Sequence, residues 1–261
     1  MPNYLSLPFY KLPKPDRDQL VKKIQSDIQS DLEKFQLNYI TKYFSDDDTY
    51  IRKAAYLGTG KIYLEKTNLR DKIISVLHNL LHSPDEKIRQ TVVNAAGEIG
   101  KKDFEIVQSF FDSGLFDDHH IVRNAVIGSV KKMGEKNPVP VLKWAKKYLH
   151  HPDKEIRREI CHGIELRGRT HPADILDMLK ELENDTTSRV RNTLVHVLGQ
   201  IAYKKDCLPL VIVHLKTWEN KTLVIKAIVE IIDVHYRYRN FSYLTQDEAR
   251  LFIEKNFGNH L

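Results

Sequence analysis

An arginine recurs at positions 52, 89, 123, 157 and 191, at intervals of 37, 34, 34 and 34 residues. Each follows an apolar residue (Ile51, Ile88, Val122, Ile156 and Val190), sits just after a short acidic loop, and opens an amphipathic stretch. The clearest copy is DEKIRQTVVNAAGEIGK, Asp85–Lys101, and a fainter copy, TLVIKAIVEII, puts Lys226 at the same place 35 residues beyond Arg191. A fixed period in the range of about 20–50 residues is the mark of a stacked repeat. A pair of amphipathic helices cannot bury its apolar side alone, and stacking successive pairs in register creates one continuous core.

The spacing predicts first helices over roughly Arg70–His82, Phe104–Phe116, Pro138–His150, Pro172–Asn184 and Leu208–Glu219, with second helices starting just before each recurring basic residue. The connections SPDE, FDDHH, HPDKE and NDTTS carry the residues that cap helices and set turns. Ahead of the repeats, an arm over residues 1–15 with Tyr4, Leu5, Leu7, Phe9, Tyr10 and Leu12 is expected to pack along the first helices. Asp16 caps a helix whose Leu20, Ile24 and Ile28 share a face, and a second helix runs from about Asp31 to Phe44. Trp144 and Trp218 fall in first helices and are read as packing residues. In HYRYRNFSY, residues 235–243, alternating aromatic and basic side chains could stack on single-stranded nucleic acid. They could also lead into a capping helix over Gln246–Asn256, the reading preferred here because repeat arrays need closed ends.

Chemistry is harder to find. There is no GxGxxG, Walker loop, HExxH or nucleophile elbow, and no cofactor is expected. No apolar run approaches the roughly 20 residues of a membrane-spanning helix. The N-terminal stretch, broken by four prolines, does not read as a secretory leader, so the expected compartment is the cytoplasm. Two cysteines, Cys161 and Cys207, cannot build a disulfide framework. The net charge of +6 arises from 41 basic residues mixed among 35 acidic ones. His162 and His196 each lie five residues after a repeat arginine and should be neighbours, with Cys161 alongside. The same place holds Asn94, Gly128 and Ile231 in other units, so no metal site is expected.

The apolar-Arg pairs, together with upstream Asp46, Asp117 and Asp185, resemble the HEAT-repeat family over roughly residues 30–235. The second and fourth units depart from that pattern, with Ser83 and His151 at the acidic place and Asp85 and Asp153 two residues later. The resemblance implies an all-α fold, a right-handed α-α superhelix of about six helix pairs with terminal caps. The whole chain, 1–261, would be one such domain: arm and capping helix over 1–29, repeats over 30–235 and a C-terminal cap over 236–261. It further implies that the five arginines bridge to acids of neighbouring units, and that second helices line a concave face. The stripe there comprises Lys53, Lys61, Gln90, Asn94, Glu98, Lys101, Asn124, Lys132, Arg158, His162, Arg169, Asn192, His196, Gln200 and Tyr203.

A polar stripe without catalytic motifs suits a non-catalytic scaffold holding a protein partner. The alternative is a duplex-DNA binder, since Glu155–Ile232 is similar in layout to the HEAT-like DNA alkylation repair proteins of the AlkC/AlkD type. In that reading Lys53, Lys61, Lys101, Lys132, Arg158 and Arg169 touch phosphates. Where the AlkC-type pattern carries acids, this chain has His162 and Gln200, which leaves Glu165 as the one carboxylate placed for glycosylase-like work on alkylated bases.

Overall fold

A computed structural model describes residues 8–257, and the described residues are helical with no strand. Contacts divide the chain into two compact units, Met1–Ser129 and Val130–Leu261.

In the first unit, α1 (Lys14–Lys34) and α2 (Asn38–Phe44) precede the repeats. The apolar spacing predicts one helix from Asp31 to Phe44, whereas the chain breaks at Phe35, which adopts a left-handed φ of 60°. The buried Asp31 carboxylate explains the restart. Its Oδ2 accepts from the backbone N–H groups of Tyr39 at 2.6 Å and Ile40 at 3.0 Å, two of the unpaired donors that open any helix. The units that follow are α3 (Thr49–Glu65), α4 (Arg70–Leu81), α5 (Glu86–Gly100), α6 (Phe104–Gly114) and α7 (His120–Lys136), which runs across the division. Helix α3 lies between α1 and α5, α4 packs against both α3 and α5, and α6 packs against α5 and α4. The side chains of Asp48 and Asp85 cap α3 and α5 by accepting from the N–H two residues on. Of the N-terminal arm, Tyr4, Leu5 and Leu7 lie outside the described residues. Leu12 is buried, and the Tyr10 ring meets Tyr50 edge-on at 4.1 Å.

The second unit continues with α8 (Pro138–Tyr148), α9 (Lys154–Gly163), α10 (Glu165–Gly168), α11 (Ala173–Lys180), α12 (Ser188–Gln200), α13 (Cys207–Leu215), α14 (Lys221–Arg237) and α15 (Gln246–Phe257). Helix α12 packs between α9 and α14, and α15 closes over α13 and α14. Trp144 and Trp218 are fully buried, as the packing reading requires. The second helix of the fourth unit is not continuous: it is interrupted at Ile164, and α10 starts at Glu165.

The arginine column needs correcting. Arg89 and Arg157 do bridge to the acid of the following repeat, Arg89 to Asp117 and Arg157 to Asp185, whereas Arg52 does not. What all five share is local: each Nη1 donates to the carbonyl six residues before it, at Asp46, Ser83, Asp117, His151 or Asp185. Both bridges end on an aspartate at the start of the next repeat's loop. Arg52 meets Ser83's repeat, where that acid is missing, and its Nη2 finds Gln90 Oε1 at 3.4 Å instead. The arginine is first a staple of its own loop, and a bridge only where an acid allows it.

Candidate functional site

The densest polar cluster forms in the second unit around Glu165, at the restart that begins α10. Its side chain is 1% exposed. Oε1 accepts from Arg169, at 3.0 Å from Nε and 2.5 Å from Nη2. Oε2 accepts from Lys131 Nζ at 3.1 Å and lies 3.1 Å from His162 Nε2. That same His162 nitrogen is 2.9 Å from Lys131 Nζ, so it accepts from the ammonium or donates to the carboxylate according to its tautomer. His196 comes in from α12, its Nε2 3.9 Å from Glu165 Oε2 and its Nδ1 3.8 Å from Glu230 Oε1. The two imidazoles meet edge-on at 5.8 Å, the adjacency expected from their shared place in the repeat.

Burial by itself would raise the Glu165 carboxyl. The hydrogen bond with His162 and the charges of Lys131 and Arg169 outweigh it and bring the pKa down to about 2. His196 is held below the ordinary histidine value, chiefly because burial disfavours its cation, with Glu165 pulling the other way. These facts bear on catalysis. A general acid must carry a proton near neutral pH, and Glu165 does not. A nucleophile or charge stabiliser needs an oxygen open to substrate, and both oxygens here are sealed under donors. Glu165 is a fixed internal anion.

His162, Glu165 and His196 bring ligand-type atoms within 4.8 Å of one another, a convergence invisible in the repeat column because Glu165 lies outside it. Their types match a His2Glu metal set. Lys131 and Arg169 already supply two positive charges to the carboxylate, which opposes a dication in the same space.

The other expected site residues are divided between exposed, half-buried and buried positions. Lys53, Lys61, Asn124, Lys132 and Asn192 are exposed. Gln90, Asn94, Glu98 and Lys101 are half-buried along α5, where Lys101 pairs with Glu98 and Asn94 donates to the Gln90 carbonyl at 3.0 Å. Arg158 is half-buried and held by Glu155 at 2.9 Å and Glu159 at 3.5 Å. Two residues are not on the open stripe at all. Gln200 is 1% exposed, because its amide turns inward to accept from Arg169 Nη2 at 2.9 Å. Tyr203 is 4% exposed: its ring stacks on Tyr238 at 5.3 Å and its carbonyl accepts from Tyr243 N–H at 2.9 Å, pinning the segment that leads into α15. Tyr203 is thus part of the cap.

Sequence reasoning missed an apolar component of the second-helix surface. Leu57 and Leu64 are exposed on α3, at the same helical stagger as Lys53 and Lys61, and Ile225, Val229 and Tyr236 are exposed along α14. The stagger was in the sequence, but a search for polar ligands passes over leucine.

Residues 30–115 match the model of the Cnd1 family, non-SMC mitotic condensation complex subunit 1, a segment short of half the chain. AlkD2 from Streptococcus mutans superposes with a TM-score of 0.53 at 17% identity, covering 75% of this chain and 97% of that one. The protein smu.31 from Streptococcus mutans UA159 gives a TM-score of 0.45 at 20% identity, over 80% of this chain and 96% of that one. A chain of the Pds5–Scc1 complex gives 0.48 at 14% identity, over 95% of this chain and 38% of that one. No curated protein matches the sequence. The fold is a HEAT-like helical repeat. Within the HEAT-like second unit, the Glu165 cluster lies where α7, α9, α10 and α12 bring their polar residues together. None of the described helices is long and apolar enough to cross a membrane.

Proposed function

We propose that this chain is a non-catalytic binding module that holds a protein partner on the exposed face of its second helices. The observation that carries this reading is the pairing of cations on that face. Lys101 is held by Glu98, Arg158 by Glu155 and Glu159, and Arg169 by Glu165. A duplex-DNA binder needs positive charge available to neutralise phosphates. Four of the six cations expected to do so are engaged with carboxylates, Lys61 with Glu65 being the fourth. The exposed part of that face mixes amides, lysines and the apolar Leu57, Ile225 and Val229, a composition suited to a protein surface. The sealed state of Glu165 supports the non-catalytic part.

Capture of a defined partner by the full chain, repeated with Leu57→Asp and Val229→Asp, tests the proposal. The same protein should be retained by the wild type and lost from at least one variant that remains folded. Titration with duplex DNA is the counter-experiment. Tight binding whose log–log salt slope falls by about 0.9 for each phosphate contact removed, in Arg158→Ala and Arg169→Ala, would replace this reading with DNA binding. Release of methylated bases from alkylated DNA, abolished in Glu165→Gln, would replace it with catalysis.

A further inference from the structure

We infer that Lys131, His162 and His196 form a receptor for an oxyanion, a carboxylate or phosphate group presented by the protein partner. The inference rests on the binding-module reading and gives that partner a chemistry.

Its basis is a surplus of donors. Lys131, His162, Arg169 and His196 converge on the single carboxylate of Glu165. Two oxygens offer about four lone-pair directions, and Arg169 alone occupies two of them. Lys131 carries three hydrogens and has one carboxylate oxygen and one imidazole nitrogen within reach. His196 Nε2, at 3.9 Å, is beyond hydrogen-bond distance from Glu165. Beside them the Gln200 amide nitrogen is buried without a hydrogen-bond partner. That amide cannot be turned round: guanidinium only donates, so the oxygen must face Arg169 and the nitrogen must face away.

Charge points the same way. Lys131 and Arg169 outnumber Glu165 by one; farther out, Glu230 shares Arg237 with the exposed Asp233. Lys131, His162 and His196 are half-buried, whereas the carboxylate beneath them is closed off. An approaching group therefore meets the donors and not the acceptor. An oxygen anion placed on this ledge completes what the internal carboxylate leaves unmatched.

The test is a titration of the full chain with inorganic phosphate and, separately, with acetate, at constant ionic strength, following the ring signals of His162 and His196 by NMR. Saturable shifts of both rings with either probe support the receptor. Lys131→Met should weaken the response about tenfold or more, the loss expected of one charge-assisted hydrogen bond, and Lys143→Met, at an exposed lysine of α8, should leave it unchanged. His196→Gln removes no hydrogen bond to Glu165 and serves as the second variant if Lys131→Met does not fold. A response that never saturates, or that Lys131→Met and His196→Gln leave intact, overturns the inference. So does stoichiometric zinc binding that Lys131→Met strengthens, which would assign the histidines to a metal. A stronger response to phosphate than to acetate points to a phosphorylated partner, and the reverse to an acidic one. If a partner is captured while both probes are silent, only this inference fails. If the probes titrate and no partner is captured, it is the binding-module reading that fails.

Discussion

Arg157 grips Asp185 with two nitrogens, Nε at 2.6 Å from Oδ2 and Nη2 at 3.1 Å from Oδ1, while its Nη1 holds the carbonyls of His151 and Pro152 at 2.8 and 2.9 Å. One side chain thereby ties its own loop to an acid 28 residues further along. The same Asp185 also caps the following turn by accepting from Thr187 N–H at 2.8 Å. Replacing it with Asn keeps the shape and removes the charge that both donors meet. Asp185→Asn should lower stability by about 1.5–3 kcal/mol, read as a shift in urea midpoint with unchanged slope.

The missing rung can be added. Ser83 occupies the place that Asp117 and Asp185 hold for the preceding arginines, and Arg52 reaches toward it with only a long contact to Gln90. Ser83→Asp should stabilise the first unit by about 0.5–1 kcal/mol in low salt and by less in high salt, as a partly exposed pair does. Equal stability of variant and wild type at low salt would show that the longer first interval, 37 residues, sets the two out of register.

Acid should weaken the fold in a defined window. Glu165 has a folded pKa of about 2 against an ordinary 4.5, and Asp117 and Asp185 are also lowered: burial raises each, but the arginine hydrogen bond, the backbone hydrogen bond from His119 or Thr187 and the arginine charge together outweigh it. For groups depressed in the folded state, the stabilisation is complete above the unfolded pKa and is lost as pH falls through the folded one. Stability should therefore hold from neutral pH to about 5 and decline between about 4.5 and 2. Glu165→Gln leaves Lys131 and Arg169 without their anion. It should cost about 3–5 kcal/mol at pH 7 and flatten the acid limb of the curve.

Two glycines should answer alanine in opposite directions. A Cβ at Gly199 would lie 2.7 Å from Glu230 Cγ and 3.0 Å from Val234 Cγ2, because α12 and α14 approach closely there. Gly199→Ala should cost about 1–3 kcal/mol through overpacking. A Cβ at Gly128 meets nothing within 4 Å, so Gly128→Ala should gain up to about 1 kcal/mol of helix propensity. Thermal unfolding of both variants separates the two cases.

The period of the arginines made the fold legible, since helices repeating every 34 residues have few ways to bury their apolar sides. The first helices predicted from spacing reappear as α4, α6, α8, α11 and α13, with ends that differ by one to four residues. The site was legible only where it followed the repeat. His162 and His196 share a column, so their contact could be foreseen. Glu165 and Lys131 do not share it. Glu165 is brought under the histidines by the interruption at Ile164, a backbone detail that periodicity averages away. Gln200 was misplaced for a similar reason: an ideal helical stripe exposes it, and a hydrogen bond from Arg169 turns it inward.

The unequal rungs of the first unit have a mechanical consequence. Arg89 is tied to its own loop and to Asp117 beyond it, whereas Arg52 is tied to its own loop and touches the next repeat only through Gln90. The joint after Arg52 is held by the exposed Lys87–Asp47 pair and the Thr91 hydrogen bond to Phe44 rather than by a half-buried two-pronged bridge, so under a pull along the stack it should give before the joint after Arg89. Backbone amides around Ser83 should accordingly exchange with solvent sooner than those around Asp117. A ladder drawn with some rungs unfastened sets where the stack bends as well as how it is aligned.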